Sequence, residues 1–162
     1  MDYMILKISP DTFSMIKILR EYKEEDDYVE RLKRIDKGID ECYAVIINNE
    51  CVADLTVTYK SEDKAATIEN YRAYLSGLFV KEDYRNKKIA TLLMSHLIKE
   101  LSKKGFKELS ALVDNSNVAA YSFYNLLGFQ YERTYRIDEW VFELMVYHIN
   151  DTNQSHGIFN SY

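Results

Sequence analysis

The sequence predicts a single α/β domain, and three observations support this fold class. The chain has 162 residues, the size of one ordinary globular domain. Apolar residues follow a period of two in some segments and a helical period in others, which indicates interspersed strands and helices. No repeat, linker or shift in composition divides residues 1–149, which we therefore assign to one domain. Residues 150–162 are polar and without periodicity, and we expect a flexible tail there.

Seven segments are predicted to be strands because they are rich in β-branched and aromatic residues. The second and third would form a hairpin around Asn48 and Asn49. The fourth is almost continuously apolar, which indicates burial on both faces, and Gly77 inside it indicates a bulge or a close backbone approach. The last two would form an antiparallel pair. The predicted strands are residues 4–8, 42–47, 51–59, 71–80, 109–113, 129–135 and 140–147.

Four segments are predicted to be helices by their apolar faces and their end signals. Ser9 and Pro10 open the first helix with a capping hydroxyl and a proline at the first helical position. The second carries Val29 and Ile35 on its apolar face and ends before Gly38, the residue type favoured just after a helix. The third is strongly amphipathic, and a glycine stops the fourth. These two helices are residues 89–101 and 118–127.

The charge and the apolar runs of the chain limit the classes of partner. Lysine and arginine number 21 against 26 aspartate and glutamate, which gives a formal net charge of −5. This balance argues against nucleic acid, whose binding requires a basic stripe. No apolar run approaches the ~20 residues of a membrane span, and the N-terminus has no secretory signal pattern. We expect a cytoplasmic protein with no nucleic-acid or membrane partner.

Both cysteines are predicted to be reduced thiols. Cys42 and Cys51 lie on the two strands of the predicted hairpin, whose turn places Cys51 opposite Ile46. At about 3.3 Å per residue, the four residues from Cys42 to Ile46 span ~13 Å, too far for a disulfide. Reduced, mostly buried thiols are typical of cytoplasmic proteins.

A basic turn lies between the fourth predicted strand and the third predicted helix. It contains Arg85, Lys87 and Lys88. The first turn of a helix has backbone N–H groups without partners and carries the positive end of the helix dipole. Together with the basic side chains, these groups predict a site for a phosphate or a diphosphate. The alternative is a solvated basic helix start.

A gap beside the fourth strand is predicted from Gly77. A bulge there would separate this strand from its neighbour, residues 109–114, and leave backbone groups unpaired between them. An extended ligand arm with amide groups could bind in that gap as a surrogate strand. The pantetheine arm of coenzyme A is such an arm, and its diphosphate would then reach the turn of residues 85–91.

Two motifs in these segments make the chain resemble the GNAT superfamily of N-acetyltransferases. The superfamily's diphosphate motif is Arg/Gln-x-x-Gly-x-Gly/Ala; Arg85 and Ala90 match it, while Lys88 stands where the first glycine usually sits. The second motif is Asn-x-x-Ala-x-x-x-Tyr followed by Gly-Phe. It is matched at Asn117, Ala120, Tyr124, Gly128 and Phe129. The order of the predicted elements is also similar to that of the superfamily over nearly the whole chain.

The resemblance implies a fold and a cosubstrate. The fold would be a mixed, mostly antiparallel sheet of six to seven strands, flanked by about four helices, with a splayed strand pair after the central strand. The cosubstrate would be acetyl-coenzyme A (acetyl-CoA), with no metal. The residues that would bind it end the fourth strand, form the basic turn or belong to the second motif. They are Leu78, Phe79, Val80, Arg85, Asn86, Lys87, Lys88, Ile89, Ala90, Thr91, Asn117 and Tyr124.

The resemblance also implies direct acetyl transfer to a primary amine in a ternary complex. A backbone N–H at or near Val80 would stabilise the oxyanion, and Tyr124 would assist the leaving thiolate. The acceptor would be a small molecule or a protein amine, and the protein a monomer or a homodimer. The alternative is a non-catalytic acetyl-CoA-binding regulatory or partner-binding protein with a degenerate site, because Lys88 replaces a glycine and the fourth strand carries no carboxylate.

The general base is left unassigned. Asp54 and Glu69 are candidates, and each is interpreted as a surface carboxylate; His96 is interpreted as a core or partly buried histidine. A water chain or an acceptor that is partly deprotonated in bulk needs no dedicated base. In the superfamily, the first two helices and the loop between them usually select the acceptor. Here that link is the acidic run of residues 23–28. It is best interpreted as a solvated helix cap, although its negative charge slightly favours a small cationic amine as the acceptor.

Overall fold

The computed structural model describes residues 2–150, and the rest of the predicted tail lies outside them. Within this range the chain forms the seven predicted strands and four α-helices. The strands are β1 (Met4–Lys7), β2 (Asp40–Ile47), β3 (Glu50–Thr58), β4 (Arg72–Val80), β5 (Glu108–Asp114), β6 (Gln130–Ile137) and β7 (Trp140–His148). The helices are α1 (Ser14–Leu19), α2 (Val29–Asp36), α3 (Ile89–Lys103) and α4 (Val118–Leu127). Short 3-10 helices are Pro10–Thr12, Glu25–Asp27 and Glu82–Tyr84. The first helix begins later than predicted, because Pro10–Thr12 form a 3-10 helix and α1 starts only at Ser14.

The strands form one mixed sheet in the order β1-β2-β3-β4-β5-β7-β6. β4 runs parallel to β5, whereas β1 with β2, β2 with β3, β5 with β7 and β6 with β7 are antiparallel. The predicted α/β fold with a mostly antiparallel sheet is confirmed. The parallel register ends at the pair Leu75↔Ala111, although β4 continues to Val80 and β5 to Asp114. This early end of the ladder agrees with the predicted splayed strand pair.

The described residues divide into two compact units. Residues up to 58 and residues 77–94 form the first unit; residues 59–76 and those from 95 onward form the second. The assignment of residues 1–149 to one domain stays a prediction. Within residues 2–150, no helix has both the length and the apolar character that a membrane crossing requires.

In the first unit, α1 contacts β3 and α2 contacts β2. The helices cover a tightly buried cluster because their apolar stripes face the hairpin. Asn48 and Asn49 form the hairpin turn with φ of 52° and 63°, a left-handed conformation that asparagine tolerates and that two-residue hairpins favour. The buried cluster consists of Ile8, Phe13, Ile16, Ile35, Cys42, Ala44 and Ile46.

The hairpin register settles the state of the cysteines. Ile46 pairs with Cys51 and Cys42 pairs with Thr56, the register that the sequence predicts. Both thiols are free, so the prediction of reduced cysteines is confirmed. Burial raises the pKa of Cys42 to about 12, and this thiol stays protonated at neutral pH.

In the second unit, α4 packs on β5, and Gly128 ends α4 with a φ of 101°. Glycine adopts this conformation without the steric penalty of a side chain, so it closes the helix as predicted. Between β6 and β7 the register shifts from Tyr131 to Arg133, which makes Glu132 a bulge residue. Large buried side chains of this unit are Leu97, Leu101, Leu109, Phe129, Leu144 and Met145.

The prediction that β4 is buried on both faces holds only for its first half. Arg72, Ala73 and Leu75 are buried, Ser76 is exposed, and residues 77–80 are half-buried. The change coincides with the end of the β5 ladder at Leu75.

Candidate active site

The predicted diphosphate-binding turn lies in the first unit, at the start of α3. Residues 85–88 are exposed, while Ile89 is buried and anchors the helix. The Leu92 N–H donates to the Lys88 carbonyl at 3.0 Å, so the N–H groups of residues 89–91 precede the first helical bond. No acidic residue lies in the first turn. The turn therefore offers backbone donors, a helix dipole and basic side chains to an anion.

Lys88 replaces the motif glycine and yet adopts a conformation that favours glycine. Its φ is 64°, and Asn86 two residues earlier has a φ of 60°. Both values lie in the left-handed region, where a non-glycine residue costs ~1–3 kcal/mol. The turn thus keeps a backbone path suited to glycine and gains a positive charge at the same position.

Two hydrogen bonds define the end of β4. The Lys81 N–H donates to the Val52 carbonyl on β3 at 2.8 Å. Because successive residues of a strand direct their N–H groups to opposite edges, the Val80 N–H points away from β3. Arg85 Nε donates to the Val80 carbonyl at 2.9 Å, which ties this predicted phosphate-binding side chain to its own strand. Within residues 2–150 its Nη groups make no hydrogen bond.

Tyr124 lies on α4, in the second unit, against two phenylalanine rings. Its ring centroid is 5.3 Å from that of Phe123 and 5.2 Å from that of Phe129, both in edge-on geometry. Burial, with a smaller contribution from Tyr74, raises the pKa of Tyr124 to about 12. The phenol is therefore protonated at neutral pH, and within residues 2–150 its hydroxyl makes no hydrogen bond.

Asn117 is the N-cap of α4. Its Oδ1 accepts a hydrogen bond from the Ala120 N–H at 3.1 Å, which satisfies one unpaired donor of the first turn. The side chain is exposed, and its Nδ2 group remains for a ligand. The predicted site residues therefore belong to both units: residues 78–91 to the first, and Asn117 and Tyr124 to the second.

Sequence reasoning missed a charged cluster around Asp54 on β3. This carboxylate is completely buried, so its interpretation as a surface group is wrong. Oδ1 accepts from Arg20 Nε at 3.0 Å and lies 2.9 Å from Arg20 Nη2. Oδ2 accepts from Arg31 Nη2 at 2.5 Å. Two guanidinium groups of the first unit therefore share one carboxylate.

Arg31 is the more enclosed of the two arginines. It also donates to the Tyr22 hydroxyl at 3.1 Å and to Thr56 Oγ1 at 2.7 Å. Burial acts to lower the pKa of Arg31, but the charge of Asp54 and these hydrogen bonds outweigh it, and the pKa lies above its usual range. A signal was present in the sequence: a lone aspartate inside an apolar strand requires a cationic partner.

The structure agrees with the interpretation of the other candidate groups as capping, surface or partly buried side chains. Asp27 Oδ2 accepts hydrogen bonds from the Lys23 and Glu24 N–H groups at 3.0 Å each, and these bonds lower the pKa of Asp27. The acidic run is thus a solvated cap. Glu69 is exposed, while His96 is half-buried and burial lowers its pKa. No cluster of three metal-ligating side chains occurs in the described part of the chain.

Comparison with known families and sequences identifies related proteins. A model of the Acetyltransferase (GNAT) family matches residues 4–129. The chain is 31% identical over 88 residues to N-alpha-acetyltransferase MAK3 of Arabidopsis thaliana, and this alignment covers 54% of this chain and 44% of that protein. It is 36% identical over 66 residues to N-alpha-acetyltransferase 30 of Schizosaccharomyces pombe, covering 40% of this chain and 44% of that protein. The matched parts are therefore less than half of each relative.

Solved structures share the fold over most of the chain. The ribosomal-protein-S18-alanine N-acetyltransferase from Escherichia coli superposes with a TM-score of 0.72 at 19% identity, covering 92% of this chain and 95% of that one. Arabidopsis thaliana NAA60 in complex with acetyl-CoA superposes with a TM-score of 0.69 at 19% identity, covering 92% and 99%. At these identities the likeness concerns the fold alone.

Proposed function

Because the chain belongs to the GNAT family of acetyltransferases, we propose that it moves the acetyl group of acetyl-CoA to a primary amine by direct attack in a ternary complex. GNAT acetyltransferases use acetyl-CoA as the acetyl donor, so by family this chain is an acetyl-CoA-dependent N-acetyltransferase. The acceptor is a small molecule or a protein amine. The N-alpha-acetyltransferase relatives favour a protein N-terminus, while the exposed carboxylates of residues 24–26 give weaker support to a cationic amine.

The observation that carries the proposal is the state of Tyr124. Its pKa of about 12 keeps the phenol protonated, and no residue of the described part forms a hydrogen bond with its hydroxyl group. Tyr124 therefore holds a proton that it can give to the coenzyme A sulfur as the C–S bond breaks. Tyr124 also occupies the tyrosine position of the second family motif.

The backbone at the end of β4 is proposed to act on the carbonyl group. The Val80 N–H would donate to the thioester oxygen as it becomes an oxyanion, a contribution of ~3 kcal/mol in comparable sites. Residues 78–80 would align the pantetheine amides, and residues 85–91 would bind the diphosphate through their N–H groups and basic side chains. Asn117 would contact the coenzyme through Nδ2.

The proposed reaction proceeds in two steps. The neutral acceptor amine attacks the thioester carbon, a C–N bond forms, and the carbonyl electrons move to the oxygen. The intermediate then collapses, the C–S bond breaks, and the sulfur takes a proton from Tyr124, which solvent reprotonates. Residues 72–80 supply no carboxylate and Asp54 is held by two arginines. The extra proton of the amine is therefore proposed to leave through water.

Release of free coenzyme A thiol from acetyl-CoA, measured with a panel of amines, tests this proposal. Tyr124→Phe is expected to lower kcat by about 100-fold or more, because general acid catalysis contributes ~10²–10⁴-fold, with the Kd for acetyl-CoA unchanged. Tyr131→Phe, an exposed tyrosine of the same unit, is the control. Equal kcat values for Tyr124→Phe and the unmodified protein would remove the acid role. Tight acetyl-CoA binding without thiol release from any amine would favour the non-catalytic alternative.

A further inference from the structure

We propose that Arg20 binds a carboxylate group of the acceptor, so that the enzyme prefers amines that also carry a carboxylate. The inference rests on the proposed function and names a substrate class for it. It concerns the first unit alone and differs from the cationic acceptor that the acidic run slightly favours. Four features support it: the charge of the Asp54 cluster, the free edge of the Arg20 guanidinium group, its partial exposure beside a glycine, and its contact with Phe79 on β4.

The Asp54 cluster has one positive charge in excess. Arg20 and Arg31 each bring a guanidinium group, Asp54 brings one carboxylate, and the neighbouring Cys42 thiol stays protonated because burial raises its pKa to about 12. The carboxylate is completely buried. A half-buried cation without its own counter-charge is costly, which makes an anionic ligand favourable at this position.

The excess charge has free hydrogen-bond donors on Arg20. Its Nε and Nη2 both contact the same oxygen, Asp54 Oδ1. Its Nη1 has no hydrogen-bond partner within residues 2–150. A guanidinium group can bind one carboxylate through Nε and Nη2 and a second through Nη1 and Nη2. Asp54 occupies the first edge, and the second edge fits the carboxylate of a ligand.

The partial exposure of Arg20 and the missing side chain at Gly77 make this free edge accessible. The Arg20 side chain is 24% exposed, against 17% for Arg31. Gly77 has no side chain, and a Cβ placed there would be 3.9 Å from Arg20 Nη2 and 3.8 Å from Thr56 Cβ. A side chain at Gly77 would therefore lie in van der Waals contact with the guanidinium group.

Phe79 fixes the guanidinium group close to the proposed reaction centre. The Arg20 Cζ atom lies 4.6 Å from the centroid of the Phe79 ring, a cation–π contact that holds the plane of the group. Phe79 directly precedes Val80, whose N–H is the proposed oxyanion donor. An acceptor whose carboxylate lies a few bonds from its amine could bind Arg20 while the amine approaches the thioester.

Arg20→Lys separates this role from a structural one. The lysine keeps a positive charge and a donor near Asp54, but it lacks the planar fork that binds a second carboxylate. Arg34→Lys is the matched control: Arg34 belongs to the same unit and binds Asp40 with Nε at 2.9 Å and Nη2 at 3.1 Å. Gly77→Ala is a second test, because its Cβ makes only ordinary contacts.

The assay compares acceptors that differ only in the carboxylate. One arm uses peptides that begin with glutamate or with glutamine; the other uses alanine and ethylamine, so that the two arms distinguish a peptide source from a free amino acid. The unmodified protein should show a higher kcat/KM for the carboxylate member of at least one pair. Arg20→Lys should lower this value about 10–100-fold, as expected for a charge-assisted hydrogen bond, and leave the carboxylate-free member and the acetyl-CoA Kd unchanged. Gly77→Ala should act in the same direction.

Three outcomes would overturn the inference: no preference for a carboxylate in either arm, an equal loss for both members of a pair, or the same loss in Arg34→Lys. If no amine releases thiol, the proposed function fails instead. Calorimetry of glutamate against ethylamine with the coenzyme A-loaded protein then decides the carboxylate contact. Binding of glutamate that Arg20→Lys abolishes supports the inference, and equal binding refutes it.

Discussion

Two charged networks, one in each unit, have opposite composition. In the first unit one carboxylate, Asp54, holds two arginines. In the second unit one arginine, Arg72, binds the carboxylates of Glu108 and Glu132. The first network has a positive charge in excess and the second a negative one. The difference separates a cluster that can receive a ligand from a cluster that joins structural elements.

The donors of Arg72 are almost fully used. Nε donates to Glu108 Oε1 at 3.0 Å, Nη2 to Glu132 Oε1 at 2.8 Å, and Nη1 to Glu132 Oε2 at 2.8 Å and to the Ala65 carbonyl at 2.6 Å. The side chain is 7% exposed. The bulge in β6 occurs at Glu132, which is typical of a site where a strand re-aims a side chain. Arg72 thereby fastens β4, β5, β6 and the loop before β4, with no edge left for a ligand.

The largest expected effect is that of Arg72→Met. It leaves the Glu108 and Glu132 carboxylates without their cation, and removal of one partner of a buried ion pair costs ~3–5 kcal/mol. Chemical denaturation at neutral pH should report a loss of this size. Arg20→Lys should change the free energy of unfolding by less than ~1 kcal/mol, since it keeps a cation beside Asp54. Similar losses for the two variants would show that the networks do not differ in the way proposed.

Asp54→Asn should have an intermediate effect on stability. The change leaves Arg20 and Arg31 without a counter-charge, but both side chains are partly exposed, so solvent compensates more than it does at Arg72. We expect a loss of about 2–3 kcal/mol in the free energy of unfolding. The matched change Asp40→Asn removes a carboxylate that binds the single arginine Arg34. A loss for Asp54→Asn no larger than for Asp40→Asn would mean that the second arginine adds nothing.

The sequence predicts the elements well because local signals mark their ends. The left-handed Asn48 and Asn49, and Gly128 after α4, occur where the predicted hairpin and helix end. Periodicity identifies α3 and the predicted strands to within about two residues. The burial of β4 was overestimated, because an apolar run does not reveal where a neighbouring ladder stops. That end depends on the pairing with β5, which is set by tertiary structure.

The family motifs identify the expected acetyl-CoA residues, because each motif is contiguous along the chain. The Asp54 cluster was missed since Arg20, Arg31 and Asp54 come from the end of α1, from α2 and from β3. Single-sequence patterns carry no information on which distant side chains meet. The left-handed backbone of Lys88 could not be predicted for a different reason, because lysine disfavours that conformation.

The smallest expected effect is on stability at acid pH, and it tests the contribution of the second carboxylate in the Arg72 network. The hydrogen bond with Arg72 lowers the pKa of Glu132 below its ordinary value of 4.5. The unfolded chain therefore binds a proton on Glu132 more readily than the folded chain does. The stabilisation that Glu132 contributes is present above pH 4.5 and is lost as the pH falls through the folded pKa. Denaturation curves of the unmodified protein and Glu132→Gln should differ most at neutral pH, and this difference in stability should disappear in acid.

The matched control is Glu69→Gln, which changes an exposed glutamate of the same unit. A gap for Glu132→Gln that stays constant with pH would mean that Arg72 is held by Glu108 alone, and the contrast between a two-carboxylate and a two-arginine network would lose its basis.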